Sequence, residues 1–568
     1  MDKRIIYSTI FGVMNKLGCL ITLVFLLNFV QANSQALNWV WAKSAGGPQF
    51  DHSRTIKTDR SGNVIIGGRF NSPTLVFDTI TLTNSTLGSS DLYITKYNNN
   101  GNALWARSAS GNQFDGINGV VTDSANNVYA AGYFRSATLT LDSVFLTNPN
   151  NYYHALLVKY DSTGNLHWVK SSSSNDNSFS NTVATDAWGN IYMAGCFDSD
   201  SITFGTTTLY NDSAGEYDIF IVKYDSSGNL LWLKGAGGEQ QDVPNSITID
   251  AFNNIYSVGS FASDTLVFGN DTLFNPYVNT ANLFIVKYDS SGNLLWARAA
   301  GESSSNGMTV GNSVTTDNSG NLFVTGYFGG DSIWFDNIVL HNHVGPGPYN
   351  DMFIVKYDAN GNAMWAHDAG GTDFDQGYSV TSDYSGDIYV SGHFQSPSIT
   401  FGSFTIINNG NWQMFVVKYD NNGNALWTAT ALGGFGIPHS ITTDATNNIY
   451  VTGDFQNPSI TFGSIILNNV FYTDIFLAKL NSTTGISEEY SNEFFQSPYP
   501  NPFSSFLSIK GTNQNGEIIL YDITSRKLLQ QKFTNSISLN TEQFAKGIYL
   551  YEVRNKNGVI KKGKVVKE

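Results

Sequence analysis

Seven tryptophans hold one place in a repeating pattern: Trp41, Trp105, Trp168, Trp232, Trp296, Trp365 and Trp427. Exposed indole faces stack on sugars and cations. Each of these, however, lies in an apolar run directly after a tight turn. That placement predicts a core role instead. Burying a tryptophan removes roughly 150–250 Å² of surface, about 4–6 kcal/mol at ~25 cal/mol per Å² before entropy is charged.

The turns before these tryptophans carry acids, among them Asp161, Asp225, Asp289, Asp358 and Asp420. Ca²⁺ asks for six to eight oxygens, usually from several carboxylates. One turn supplies one carboxylate and some carbonyls. An Asx turn, in which Asp caps its own backbone, accounts for the residue without metal. A lysine recurs a few residues earlier: Lys96, Lys159, Lys223, Lys287, Lys356, Lys418 and Lys479. A lysine in an apolar strand needs a partner, and an Asp of its own unit is expected, with the Thr-Asp carboxylate one choice. His341-Asn342-His343 has metal-like spacing inside an enlarged loop but no third ligand nearby. Asp289, Asp358, Asp420, His341 and His343 are thus the metal candidates, while the expectation is that neither metal nor cofactor is held.

Catalytic patterns are sparse. The Asp-x-x-Gly-Asn-x-x-Trp hairpin resembles the aspartate box of sialidases, with a spacing that differs on each side of the glycine. Sialidases also need clustered arginines, and Arg54, Arg60, Arg69, Arg107, Arg135 and Arg298 are scattered along the chain. No Gly-x-Ser-x-Gly, His-Glu-x-x-His or phosphate loop occurs. His52, His154, His167, His367, His393 and His439 form no visible set. No catalytic residue is assigned, and a non-enzymatic protein is expected.

The elements that position these residues are strands. Leu283-Phe284-Ile285-Val286-Lys287, then Tyr288-Asp289-Ser290-Ser291-Gly292-Asn293, then Leu294-Leu295-Trp296 reads as a hairpin. It recurs at about 64-residue spacing, a period that marks a repeat architecture. Each unit also holds a Gly-rich loop, a strand ending in Thr-Asp, and strands like Asn321–Phe328 and Asp351–Tyr357, for four or five strands in all. Such units shield each other when set radially. The first Trp strand, Leu37–Ser44, lacks a partner before it, and the last strand, Asp474–Leu480, lacks one after it. Pairing these ends closes a ring of seven and removes an exposed edge. The expected fold is all-β, a seven-bladed β-propeller over 37–480. The Trp, Thr-Asp-x-x-Gly-Asn and Lys-Tyr-Asp-x-x-Gly-Asn pattern resembles the bacterial SBBP repeat family. That resemblance implies an extracellular propeller with no common activity.

The remaining segments concern export. Residues 1–36 read as a signal peptide, with Lys3, Arg4 and Lys16, an apolar core from Leu17 to Val30, and cleavage between Ala36 and Leu37. No other run is long enough to span a membrane. Cys19 falls in that leader, leaving Cys196, expected as a buried apolar side chain. Residues 481–496 are a polar linker. Residues 497–568 alternate apolar and polar, which predicts a small Ig-like β-sandwich. Tyr499-Pro500-Asn501-Pro502-Phe503, Lys546-Gly547-Ile548-Tyr549 and the final Lys-Val-Val-Lys-Glu resemble the C-terminal sorting domain of type IX secretion substrates of Bacteroidota. The resemblance implies outer-membrane passage by the type IX secretion machinery, then tail release, often with attachment to surface lipopolysaccharide. The chain carries a net charge of −15, concentrated outside this basic tail, which argues against a nucleic-acid partner. The function expected is that of a secreted or cell-surface propeller that binds glycan or protein through loops on one face. A polysaccharide hydrolase or lyase with a site in the channel, and a structural surface spacer, are the alternatives.

Overall fold

The computed structural model describes residues 38–481 and 498–568, except 214, 278–279, 302–306, 345–348, 410–411, 457, 500–501, 523–525 and 556–557. The leader, its Ala36–Leu37 cleavage site, Cys19 and the linker (apart from Asn481) lie outside the described residues. Two compact units emerge, one of them Asn38–Ser482 and the other containing the C-terminal segment. The described residues form strands without a helix.

Within the larger unit, seven four-stranded antiparallel sheets follow one another. One consists of Thr309–Thr316, Leu322–Phe328, Asp351–Tyr357 and Ala363–Ala369, in that order across the sheet. The first strand of each sheet lies beside the first strand of the next, and Phe435–Thr443 lies beside Asp51–Thr58, so the series closes into a ring. The closing sheet joins the two ends of this unit. Asn38–Ala45 pairs with Asp474–Asn481, with Trp41 opposite Lys479 and Ser44 opposite Phe476. The Trp strand is therefore the outer edge of one sheet, and the next sheet begins just after it. The third strands are buried along their whole length, as in Asp218–Tyr224 and Asn282–Tyr288. That explains their nearly unbroken apolar sequence, because both faces are covered.

Each unit holds two more strands than the four that make its sheet. The run Ser398–Phe401 pairs with Phe404–Ile407 in a separate small hairpin. Its buried Ile399, Phe401 and Ile406 join the core of their sheet. The tail unit is one antiparallel sheet in the order Lys527–Asn540, Phe506–Tyr521, Gly547–Asn555, Gly558–Lys567. Phe503, Leu507, Ile518, Leu520, Tyr551 and Val565 are in its core.

Adjacent sheets are tied at one backbone atom. The turn Asp289 accepts from the Ser291 and Asn293 amides at 2.9 Å each, and its second oxygen accepts from Asn293 Nδ2 at 2.8 Å. Asp358 and Asp420 repeat this pattern. Burial raises these carboxyls, but the turn hydrogen bonds together outweigh it and hold them below the usual range. The folded turn presents the carbonyl of its next residue to the preceding sheet. There Trp232 Nε1 and Lys223 Nζ both donate to Ser290 O, at 3.3 and 2.7 Å. Trp41 and Lys479 do the same to Asn99 O, and Trp105 and Lys96 to Ser162 O. The indole also lies against the turn glycine. A Cβ on Gly164, which has φ of 85°, would sit 2.8 Å from the Trp105 ring. Only glycine allows both that conformation and that contact.

The lysines therefore differ from the expected pairing. Only Lys96 meets the Thr-Asp carboxylate of its own unit, at 2.8 Å from Asp59, while Lys418 meets Asp387 at 2.7 Å. In five units the cross-strand neighbour occupies the carboxylate, whereas in the fifth unit Phe323 stands there and Lys356 reaches Asn421. Tyr129, Tyr192, Tyr256, Tyr389 and Tyr450 donate their hydroxyls to that carboxylate, and the lysine sits over the ring. In the first unit Ile65 is the neighbour, and the carboxylate is left for Lys96. The tryptophans are interfacial rather than uniformly deep: Trp105, Trp296 and Trp427 are buried, and the other four half-buried.

At four junctions the first residue of a third strand and the first residue of the next sheet are both buried aspartates. These are Asp91/Asp115, Asp218/Asp242, Asp351/Asp375 and Asp474/Asp51. The other three junctions carry His154/Ser178, Asn282/Thr309 and Gln413/Gly436, with no acid on either side. Burial, then the neighbouring charge, pushes Asp115 up to about 7, and burial pushes Asp91 to about 6.

Two predictions follow from these junctions. Trp427 Nε1 is buried and has no acceptor among the described residues, so Trp105→Phe should cost about 1 kcal/mol more than Trp427→Phe, measured by chemical denaturation. The raised aspartates bind more protons folded than unfolded, so their stabilising effect is lost as pH rises from about 4 towards 7. Asp115→Asn should therefore raise the melting temperature at pH 8, by about 1 kcal/mol or more in stability, and have little effect at pH 4.

Candidate functional site at one mouth of the ring

Every first strand carries a β-bulge at the same place. The register shifts between Ser53 and Thr55, Ile117 and Gly119, Ser180 and Thr182, and Pro244 and Ser246. It shifts likewise between Gly311 and Ser313, Gly377 and Ser379, and Pro438 and Ser440. The unpaired residues are Arg54, Asn118, Asn181, Asn245, Asn312, Tyr378 and His439. A bulge re-aims its side chain, and here all seven line one cavity of about 390 Å³ on the ring axis, together with Arg69 and Tyr133.

The four asparagines form a belt. Asn118 Nδ2 donates to Ser180 O at 3.0 Å, Asn181 to Pro244 O at 2.9 Å, Asn245 to Gly311 O at 3.0 Å and Asn312 to Gly377 O at 2.8 Å. Each amide is fixed by the neighbouring sheet, and its oxygen remains an acceptor.

The sixth, seventh and first sheets break this symmetry. Asp454, buried on a second strand, accepts from His52 Nδ1 at 2.7 Å, His439 Nε2 at 2.9 Å and the Ser53 amide at 2.8 Å. A carboxylate only accepts, so each imidazole nitrogen facing it carries the proton. Burial opposes the Asp454 charge, but the two histidines outweigh it and hold the carboxyl well below its usual range. Burial pushes His439 down despite Asp454, and pushes Tyr378 up to about 12. His52, Arg54, His439 and Asp454 line a second cavity of about 210 Å³ with Phe435 and Thr473.

Aromatic rings surround this sector. His393 stacks on Trp412 at 4.4 Å, and Trp412 on Phe435 at 4.6 Å. Phe50 stacks on Tyr472 at 4.9 Å, and Phe50, Phe471 and Tyr472 are exposed. Arg69 Nη1 donates to Tyr133 OH at 3.0 Å, and its buried Nε has no partner among the described residues. The mouth thus offers cationic forks, neutral amides and flat rings, a mixture that suits carboxylates and hydroxyl-rich ligands.

His52 and His439 form a set here with Arg54 and Arg69, although their linear positions suggested none, while Arg107 and His167 line a different cavity. The signal was register: each bulged residue stands five before the turn acid of its unit, as Arg54 does before Asp59 and His439 before Asp444. Among the metal candidates, Asp289, Asp358 and Asp420 are engaged by their own turns. His341 ends a small hairpin strand and is exposed, while His343 Nδ1 lies 2.6 Å from Asp351 Oδ2. Cys196 is buried, and burial pushes its thiol up to about 12.

Residues 497–568 match the secretion system C-terminal sorting domain family. That type IX sorting domain makes the chain a secreted or cell-surface protein that engages the secretion machinery. No helix of the described residues is long and apolar enough to cross a membrane. Outside the sorting domain the likenesses are distant. An uncharacterized WD repeat-containing protein of Acanthamoeba polyphaga mimivirus is 25% identical over 444 residues, covering 64% of this chain and 32% of its own length. A regulatory protein, FlaEY, of Caulobacter vibrioides is 26% identical over 251 residues, covering 42% of this chain and 25% of its own. The chain thus spans a third or less of the curated relatives it matches. Among solved structures, Sqt1 from Chaetomium thermophilum is similar at 9% identity and a TM-score of 0.38, over 74% of this chain and 97% of that one.

Proposed function

We propose that this chain is a non-catalytic, surface-displayed propeller of the SBBP repeat type that binds an acidic glycan at the bulge-lined mouth. One observation carries the reading: bulges in all seven first strands turn Arg54, Tyr378, His439 and the asparagine belt onto one cavity, beside Arg69 and Tyr133. In a chain of net charge −15, two arginines at one cavity favour a carboxylate-bearing ligand. The fixed amides suit sugar hydroxyls, and the rings around His393 and Phe50 suit sugar faces. After export the tail is released and the propeller is attached to surface lipopolysaccharide.

The convergence of His52, Asp454 and His439 favours a second reading, a polysaccharide lyase. There an imidazole takes a proton while Arg54 faces the substrate carboxylate.

A glycan array followed by calorimetry with a uronic-acid oligosaccharide tests the first reading. Arg54→Ala should weaken binding at least tenfold, and a neutral oligosaccharide of equal length should bind poorly. Equal binding of both sugars by the wild type, or of the acidic sugar by the variant, would rule the reading out. Appearance of unsaturated uronide absorbance during incubation would transfer support to the lyase. For export, deleting residues 497–568 should trap the propeller inside the outer membrane, seen by surface proteolysis of whole cells.

A further inference from the structure

One junction departs from the repeat in two places at once. Where the fifth unit has His343, the others have Ser85, Pro149, Asp212, Pro276, Asn409 and Val470. Where it has Asp368, three residues after Trp365, the others have Ser44, Ser108, Ser171, Gly235, Ala299 and Thr430. The two exceptions meet. His343 Nδ1 is 3.7 Å from Asp368 Oδ2 and 2.6 Å from Asp351 Oδ2. One ligand atom from each of the three residues lies within 4.8 Å of the others.

The strand-leading Asp351 has a constant role in the repeat. Its Oδ2 accepts the His343 amide at 2.8 Å, as Asp91, Asp218 and Asp474 accept the amide at the corresponding place. Its Oδ1 is buried without a hydrogen-bond partner among the described residues, as are Asp218 Oδ1 and Asp474 Oδ1 at the same place, so what sets this junction apart is His343 and Asp368. Asp375 of the next sheet adds a third carboxylate nearby. Its oxygens are already engaged by the Ser396 hydroxyl and the Gln395 amide. His343 and Asp368 thus turn an ordinary junction aspartate into a cluster of one imidazole nitrogen and two carboxylate oxygens. His343 is half exposed at its side chain, so it has room to adjust and an approach from solvent is open.

We propose that His343, Asp351 and Asp368 form a binding site for one divalent cation of the zinc class. One imidazole nitrogen and two carboxylate oxygens are donors that Zn²⁺ accepts at about 2.0–2.2 Å, with a fourth position left to solvent or a ligand. A mixed nitrogen and oxygen set disfavours Ca²⁺, which takes six to eight oxygens. Bound there, the cation joins the enlarged loop to the third and fourth strands of its sheet.

The full chain, freed of metal by chelation, is titrated with Zn²⁺ and separately with Ca²⁺ by calorimetry, and bound zinc is counted by elemental analysis. One Zn²⁺ per chain is expected, with a higher melting temperature. His343→Ala and Asp368→Ser should each weaken it at least thirtyfold. Asp368→Ser installs the residue of three other units, so its metal-free melting temperature should stay near that of the parent. Absence of stoichiometric zinc would overturn the proposal. So would zinc binding that survives the double variant, or Ca²⁺ binding as tightly as Zn²⁺.

Discussion

One carbonyl at six of the seven sheet junctions carries much of the connection between units, the exception among the described residues being the junction of Trp427. It accepts from an indole and an ammonium of the preceding sheet, as Ser290 O does from Trp232 and Lys223. That carbonyl is free to face outward because Asp289 satisfies the amides of its own turn. The turn needs Gly292 at φ 81°, and the same glycine lets the Trp232 ring lie flat against it. Aspartate, glycine, tryptophan and lysine thus form a single device spread over two sheets. Losing the indole or the lysine takes one of two donors from that carbonyl, and losing the aspartate takes the acceptor from two turn amides.

The repetition that supplies stability also supplies a blank surface on which a site can be written. Around the axis, four asparagines hold the same place and are tied to their neighbours. The remaining three places went to Arg54, Tyr378 and His439 on consecutive sheets, counting through the closure. Asp454 then gathers His52 and His439 from either side of that closure. The sheet that contains the first and last strands of the larger unit is therefore the one with the densest chemistry, and its geometry depends on how Asn38–Ala45 docks.

Much of this was legible from the chain. The tryptophan period, the Asp-x-x-Gly-Asn turns and the unpaired strand at each end are local signals that lead to a closed ring. The tail motif is compact and contiguous. Two kinds of feature were not legible. The small hairpins, such as Ser398–Phe401 with Phe404–Ile407, are four-residue strands too short to separate from a loop. The axial set is non-local, because its members share no residue type and each is placed by a bulge. A bulge shifts facing by one residue, so simple alternation sends Arg54 and His439 to the wrong side. Lys96 shows a third limit: its partner depends on whether Ile65 or a tyrosine stands across from it.

The closing sheet also bears on how such a chain is made. Its strands come from positions separated by some four hundred residues, so its loop entropy is met only after every other unit exists. Until then Asp474–Asn481 is an open edge beside a finished core, and the opposite terminus is a loose extended segment. Pairing of Asn38–Ala45 with Asp474–Asn481 closes the longest loop in the ring, so topology places it late in folding.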